Sequence, residues 1–309
     1  MLYIDFAINK DDILSNKEKK LPRIIRKCLC FIKNIEGQVL KYKLENNGTV
    51  IVLPKITKKT LKKLDKLLKI DVTKNVCICD ELLNKEQFMT YINEKELNII
   101  DGRWLFKYMM VDVVKYICLE LNVLSEKQEI SILTNENDKN VFESIIKLSE
   151  NVKNINIITR DPKKFKKLEE KVYKENGLIL NITNNYKKAL LKSTIILNLN
   201  FVQEDINKIL FPRNSVIVNF ENELKVNQKG FLGVNCSFYN ISLPIKYFKL
   251  YKSLPHFNSV NLYESFIYKK TMIQNIWKEL KEDNIKILCL EGKNGIIKFE
   301  NKLKEVKIS

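Results

Sequence analysis

Residues Gln128–Asp161 read QEISILTNENDKNVFESIIKLSENVKNINIITRD. Two short apolar runs, Ile130–Leu133 and Ile155–Ile158, frame a segment of helical character, Lys139–Val152. The pattern then repeats. Runs at Leu178–Ile182, Thr194–Leu199 and Ser215–Phe220 alternate with helical segments Pro162–Asn176, Tyr186–Ser193 and Val202–Leu210. Strands separated by helices pair in parallel through right-handed crossovers. The chain is therefore expected to be α/β, with a doubly wound, Rossmann-like parallel sheet carrying helices on both faces.

Upstream, the first hundred residues read as a smaller α/β unit. Leu2–Ile8 is a first strand, and Leu21–Ile35 is a half-buried helix with Pro22 at its first position. Val39–Leu44 and Thr49–Leu53 flank Asn47-Gly48, whose positive φ angles suit a tight hairpin. Lys55–Ile70 carries Ile56, Leu61, Leu64, Leu67 and Leu68 at helical spacing, with lysines on the solvated side. Asn75–Cys79 is a strand, Asn84–Asn93 a helix and Leu97–Ile100 a strand, closed by Asp101-Gly102. Arg103–Leu121 follows as one long apolar helix, expected to be buried between two halves.

Downstream, Gly230–Asn235 reads as a sixth strand, followed by an irregular stretch broken by Pro244 and Pro255. Asn261–Leu280 is a helix, and Ile285–Leu290 with Ile296–Glu300 a second hairpin. The expected domains are 1–121, with the connecting helix, then 122–245, the Rossmann-like domain. Residues 246–309 would be a C-terminal helix and hairpin that pack back on the first.

In a nucleotide-binding βαβ unit the first strand ends in glycines, and phosphate sits on the N–H groups that open the next helix. Here that loop is Thr134-Asn135-Glu136-Asn137-Asp138, without a glycine and with two carboxylates; Asp138 is also a natural helix N-cap. About 20 residues on, Arg160-Asp161 occupies the position of the ribose-binding acid, where an arginine suits a 2′-phosphate. The competing explanation is local: Asp161-Pro162 starts a helix, with Asp as N-cap and Pro at N1. Thr134, Asn135, Arg160 and Asp161 are the candidate cofactor-binding residues, with no cofactor expected and NADP as the alternative.

The small α/β unit, Asp101-Gly102, the connecting helix, the order of elements from Gln128 to Phe220 and Thr159-Arg160-Asp161 together resemble the shikimate dehydrogenase and glutamyl-tRNA reductase group. The resemblance covers most of the chain as architecture. It implies the two-domain fold and, for activity, Asp101 and Lys55 as the catalytic candidates. The family's Asn-Thr-Asp-Gly signature is here Ile99-Ile100-Asp101-Gly102. Its lysine follows a proline by two residues, whereas Pro54-Lys55 are adjacent; its glycine-rich loop has no counterpart.

Composition narrows the function classes. The formal net charge is +17, but only five of 54 basic residues are arginine, the residue favoured for bidentate reading of bases and phosphates. The lysines are read as a solvated surface, and nucleic acid is not the expected partner. Seven cysteines and one histidine, His256, offer no zinc spacing, so no metal is expected. The sequence MLYIDFAINKDD has no signal-peptide pattern and no apolar run reaches membrane-spanning length, so a cytoplasmic protein is expected. Three functions stay open. The first is a degenerate, non-catalytic Rossmann-like protein acting through protein or small-ligand contacts in an interdomain cleft. The second is an NADP-dependent oxidoreductase with an atypical phosphate loop, and the third a lysine-rich binder of nucleic acid or an anionic surface.

Overall fold

Strand β1 (Leu2–Phe6) is apolar except for Asp5 and buried almost throughout, so neighbours must cover both of its faces. The computed structural model describes residues 1–44, 48–70, 74–137, 139–270 and 276–299. After β1 come helix α1 (Arg23–Glu36), β2 (Leu40–Lys43), β3 (Thr49–Leu53), α2 (Lys58–Ile70), β4 (Asn75–Ile78), α3 (Asp80–Leu83), α4 (Glu86–Glu94) and β5 (Asn98–Ile100). These strands form one sheet in the order β2-β3-β1-β4-β5, in which only β2 runs antiparallel. The first hairpin is present in the register Leu40↔Val52 to Lys43↔Thr49, although 45–47 of its turn lie outside the described residues. The helix expected over Asn84–Asn93 is α4, and the short α3 that precedes it was not expected. The core of this unit is Leu2, Ile4, Val50–Leu53 and Val76–Cys79, covered by Leu64, Phe88 and Ile92.

Helix α1 departs from expectation. Pro22 stands at its N-cap, and Gly37 closes it in the left-handed region at φ +57°. Its side chains are not half-buried: Cys30 alone of them is buried. A small cluster of Ile13, Leu14 and Cys30 holds it, together with Lys33 Nζ on Glu18 Oε2 at 2.6 Å.

The expected single helix Arg103–Leu121 is α5 (Arg103–Tyr108) and α6 (Met110–Glu120). The ladder is disturbed at Met109 (φ −83°, ψ 11°), whose N–H is shared between the carbonyls of Leu105 and Phe106. Then follow β6 (Glu129–Leu133), α7 (Lys139–Ser149), β7 (Asn154–Ile158), α8 (Lys166–Asn176), β8 (Asn181–Thr183), α9 (Tyr186–Leu190), β9 (Ile195–Asn198), α10 (Gln203–Ile206), β10 (Val216–Asn219) and β11 (Val234–Cys236). All six strands are parallel, in the order β11-β10-β9-β6-β7-β8. Counted within the sheet this is 3-2-1-4-5-6 read from the other end, the doubly wound order. The expected parallel sheet is thus present, with shifted bounds at its third and sixth strands. Ile196, Ile217, Leu133 and Ile158 pack with Phe201, Ile206 and Phe211 on one of its faces.

The stretch read as irregular contains β12 (Phe238–Ile241) and α11 (Phe248–Ser253), and α12 (Ser259–Lys270) opens the helix expected over Asn261–Leu280. Residues 271–275, inside the helix expected over Asn261–Leu280, lie outside the described residues; α13 (Ile276–Glu282) follows. The C-terminal hairpin is β13 (Ile287–Gly292) and β14 (Gly295–Ile296), and β12 adds to it antiparallel. That third strand was not legible, because pairing between residues about fifty positions apart leaves no local mark.

The chain divides into two compact units, 1–102 with 243–279, and 103–242 with 280–309. The sequence expectation attached 103–121 to the smaller unit and kept 246–309 together. In the structure α5 and α6 belong with the six-strand sheet, and the C-terminal segment is shared between the units. Gly102, at the first boundary, has φ +84°, and a Cβ there would meet Val260 Cγ1 at 2.8 Å. Only glycine fits the site.

Candidate functional site

In the six-strand sheet the strand order reverses between β6 and β9, and ligands of such folds bind outside the carboxyl ends at that point. The loop after β6 fills its own space. Thr134 is buried; its N–H bonds Ile158 O and its hydroxyl accepts from Glu136 N–H at 3.2 Å. The Asn135 N–H donates to Asn200 Oδ1 at 2.9 Å, and Asn135 Oδ1 accepts the Arg160 N–H at 2.9 Å. The N–H groups of Asn135 and Glu136, which a phosphate would need, are therefore already satisfied. Lys107 Nζ lies 3.5 Å from Glu136 and also pairs with Glu221, so the loop's acidity is partly offset. Asp138 lies outside the described residues.

The four cofactor candidates do come together at the ends of β6 and β7. Arg160 directs its guanidinium to Asp205. Asp161 accepts from Lys163 N–H at 3.2 Å with Pro162 at the first helical position, so it serves as a local N-cap. Beside them lies a buried polar chain that sequence reasoning missed. Asn198 Nδ2 donates to Asn219 Oδ1 at 3.1 Å, and Asn219 Nδ2 donates to Asn235 Oδ1 at 2.8 Å and Ser237 Oγ at 3.3 Å. Arg103 donates to the carbonyls of Ser237 and Asn219. The available signal was asparagine at the ends of apolar runs, at Asn198 and Asn219. These groups satisfy one another, as buried polar groups must.

In the first unit, Lys55 follows β3 and Asp101 follows β5, three places apart in the sheet. The strand axes are then separated by about 14 Å, and the structure does not bring this pair together. Between them, at the ends of β1 and β4, lies a pair that the sequence did not suggest, with Asp5 buried and His256 half-buried. Asp5 carboxylate oxygens stand 3.1 and 3.3 Å from His256 Nδ1, and Phe6 N–H donates to Asp5 at 2.8 Å. Burial raises the Asp5 carboxyl, opposed by His256. The Cys79 thiol bonds the same carboxylate and is pushed up to about 12 by burial. A thiol held on the carboxylate and kept protonated is not an activated nucleophile. The pair can orient an imidazole for proton transfer, without a nucleophile of its own.

A pocket of about 640 Å³ opens at the carboxyl ends of β1 and β3, lined by Ala7, Ile8, Asn9, Arg23, Lys27 and Phe31 among others. Arg26 in its wall pairs with Asp11 at 3.2 Å, and its Nε is buried without a hydrogen-bond partner. Arg23 and Lys27 have no ion-pair partner among the described residues. The size is that of a small-molecule site. Its signal in the sequence was two of only five arginines a single turn apart, in Arg23-Ile24-Ile25-Arg26-Lys27. No cluster with metal-ligand character occurs among the described residues.

No family model and no curated protein matches the chain. Solved structures are similar only in fold. A shikimate dehydrogenase solved with NADP+ aligns at 12% identity and TM-score 0.32, over 76% of this chain and 83% of that one. The ornithine transcarbamoylase of Giardia lamblia aligns at 10% and 0.29, over 75% of each chain. The Δ1-pyrroline-2-carboxylate reductase of Thermococcus litoralis, solved with NADH and L-proline, aligns at 12% and 0.27. This chain spans about a third of that reductase, 36% of it. At these scores the likeness bears on no residue's role.

Proposed function

We propose that this protein is a degenerate Rossmann-like protein that works by binding a small ligand, without hydride transfer. One observation carries the reading: at the strand-order reversal, the N–H groups of Asn135 and Glu136 are taken by Asn200 Oδ1 and Thr134 Oγ1. A pyrophosphate would have to displace both bonds, and the Asn135 side chain stands between β6 and β7 through its bond to Arg160. The ligand assigned to the first unit is a small anion with an apolar part, because the pocket at β1 and β3 combines Arg23 and Lys27 with Ile8 and Phe31.

Calorimetric titration of NAD and NADP at low salt tests the reading. Dissociation constants weaker than about 100 μM are expected for both, with NADP the better of two poor ligands because of Arg160. Micromolar binding of either, weakened by Arg160→Ala, overturns it. The NADP-dependent oxidoreductase reading then comes first, with Asp101 and Lys55 the residues to replace for activity.

A further inference from the structure

Helix α1 has a second property, which depends on no cofactor and shares Arg23, Lys27 and Phe31 with the pocket. Ile24, Ile25, Cys28, Phe31, Ile32 and Ile35 recur at i, i+1, i+4, i+7, i+8 and i+11, a single stripe along one side. Such a stripe ordinarily enters a core. Here Ile24 is 78% exposed, Phe31 69% and Ile35 59%, while the helix is held from its other side through Cys30 and Lys33. A ridge of large apolar side chains about 16 Å long thus faces solvent. Its border is cationic on one side, where Arg23 and Lys27 have no ion-pair partner among the described residues, and carries Glu36 on the other. Arg23 and Lys27 lie along its border by helical rotation.

We propose that α1 is an interfacial helix that docks this protein on an anionic lipid bilayer. The apolar stripe would enter the boundary between headgroups and acyl chains, with the flanking cations on the anionic headgroups. Charge decides between occupants. A symmetric contact with a second copy would bring the same unpaired cations against each other, in a chain of net charge +17. It would also offer six residues a side, against the 20–30 of a standard interface. An anionic bilayer complements both the stripe and its border. No described helix is long and apolar enough to cross a membrane, so the contact is peripheral.

Cys28 lies within the stripe and is exposed, which supplies a probe. The full chain, in a Cys289→Ser background, is labelled there with an environment-sensitive fluorophore. It is then mixed with phosphatidylcholine vesicles with or without about 30% phosphatidylserine. The expected result is a blue-shifted emission, quenched by nitroxide-labelled acyl chains, and at least about tenfold tighter binding to the anionic vesicles. Replacing Ile24→Ser with Phe31→Ser should weaken that binding at least about tenfold, whereas Lys58→Ser with Lys59→Ser on α2 should leave the blue shift in place. Several results overturn the proposal. Absence of binding, or binding with the probe still in water, would mean no insertion of this helix. A blue-shifted probe before vesicles are added would mean that protein already covers the stripe. A dimer in light scattering that the Ile24→Ser, Phe31→Ser variant dissociates would assign the stripe to a second copy.

Discussion

Replacing Asn200 by Ala, alone and with Asn135→Gly, tests whether the chain's own side chains keep a dinucleotide out. Asn200 Oδ1 accepts the Asn135 N–H at 2.9 Å, and Asn135 Oδ1 accepts the Arg160 N–H at 2.9 Å. Both residues are half-buried, so water can replace the lost partner and Asn200→Ala should cost about 1 kcal/mol of stability. Urea unfolding followed by Trp104 fluorescence in a Trp277→Phe background reads this from the unit that contains the loop. A freed N–H directed at a phosphate oxygen makes a charge-assisted bond of about 1.5–3 kcal/mol. At about 1.4 kcal/mol per factor of ten, NADP should bind the double variant roughly 10- to 100-fold tighter than the parent. Lys107 beside Glu136 limits the opposing charge, so Glu136 need not be replaced for the gain to show. A double variant that folds, loses the expected stability and binds NADP no better than the parent would refute the occupied-amide explanation.

Three further outcomes follow from single contacts. The Lys33 ammonium, then the Ser15 N–H and hydroxyl, hold Glu18 down to about 2 from 4.5. A depressed carboxylate stabilises fully above its unfolded pKa and loses that contribution as pH falls from about 4.5 towards 2. Solvent reaches the pair, so about 1 kcal/mol is expected, absent in Glu18→Gln; a difference between the two proteins that is the same at pH 7 and pH 3 in urea titrations would contradict this. For the thiols, brief iodoacetamide treatment at pH 8 should modify the exposed Cys28 and spare Cys79 and Cys236, both pushed up to about 12 by burial. Mass spectrometry of the peptides checks this, and Cys79 modified ahead of Cys28 would contradict it. Gly102→Ala should destabilise by about 2 kcal/mol, from positive φ and the contact with Val260. A calorimetric change below about 0.5 kcal/mol would show that the backbone there relaxes freely.

The sequence by itself determined the kind of elements and the class of fold. Ile130–Leu133, Ile155–Ile158, Thr194–Leu199 and Ser215–Phe220 are strands because short apolar runs between helical segments have few other ways to bury themselves. Asn47-Gly48 marked a hairpin for an equally local reason. The absence of glycine between Thr134 and Asp138 was also plain, and with it the departure from a dinucleotide loop.

What the tertiary structure alone decided was who meets whom. Periodicity shows that α1 has an apolar side, but whether anything covers that side depends on the rest of the fold, and Ile24 and Phe31 stand in solvent. The Asn135 N–H is closed by a residue 65 positions away, and Asp5 meets His256 across 251. Lys55 and Asp101, each at a strand's carboxyl end, are kept apart by two intervening strands. Spacing along the chain carries the period of a helix or a strand, which is a property of a few adjacent residues. The order of strands in a sheet is set by the burial of whole faces, and it is this order that brings distant side chains into one site.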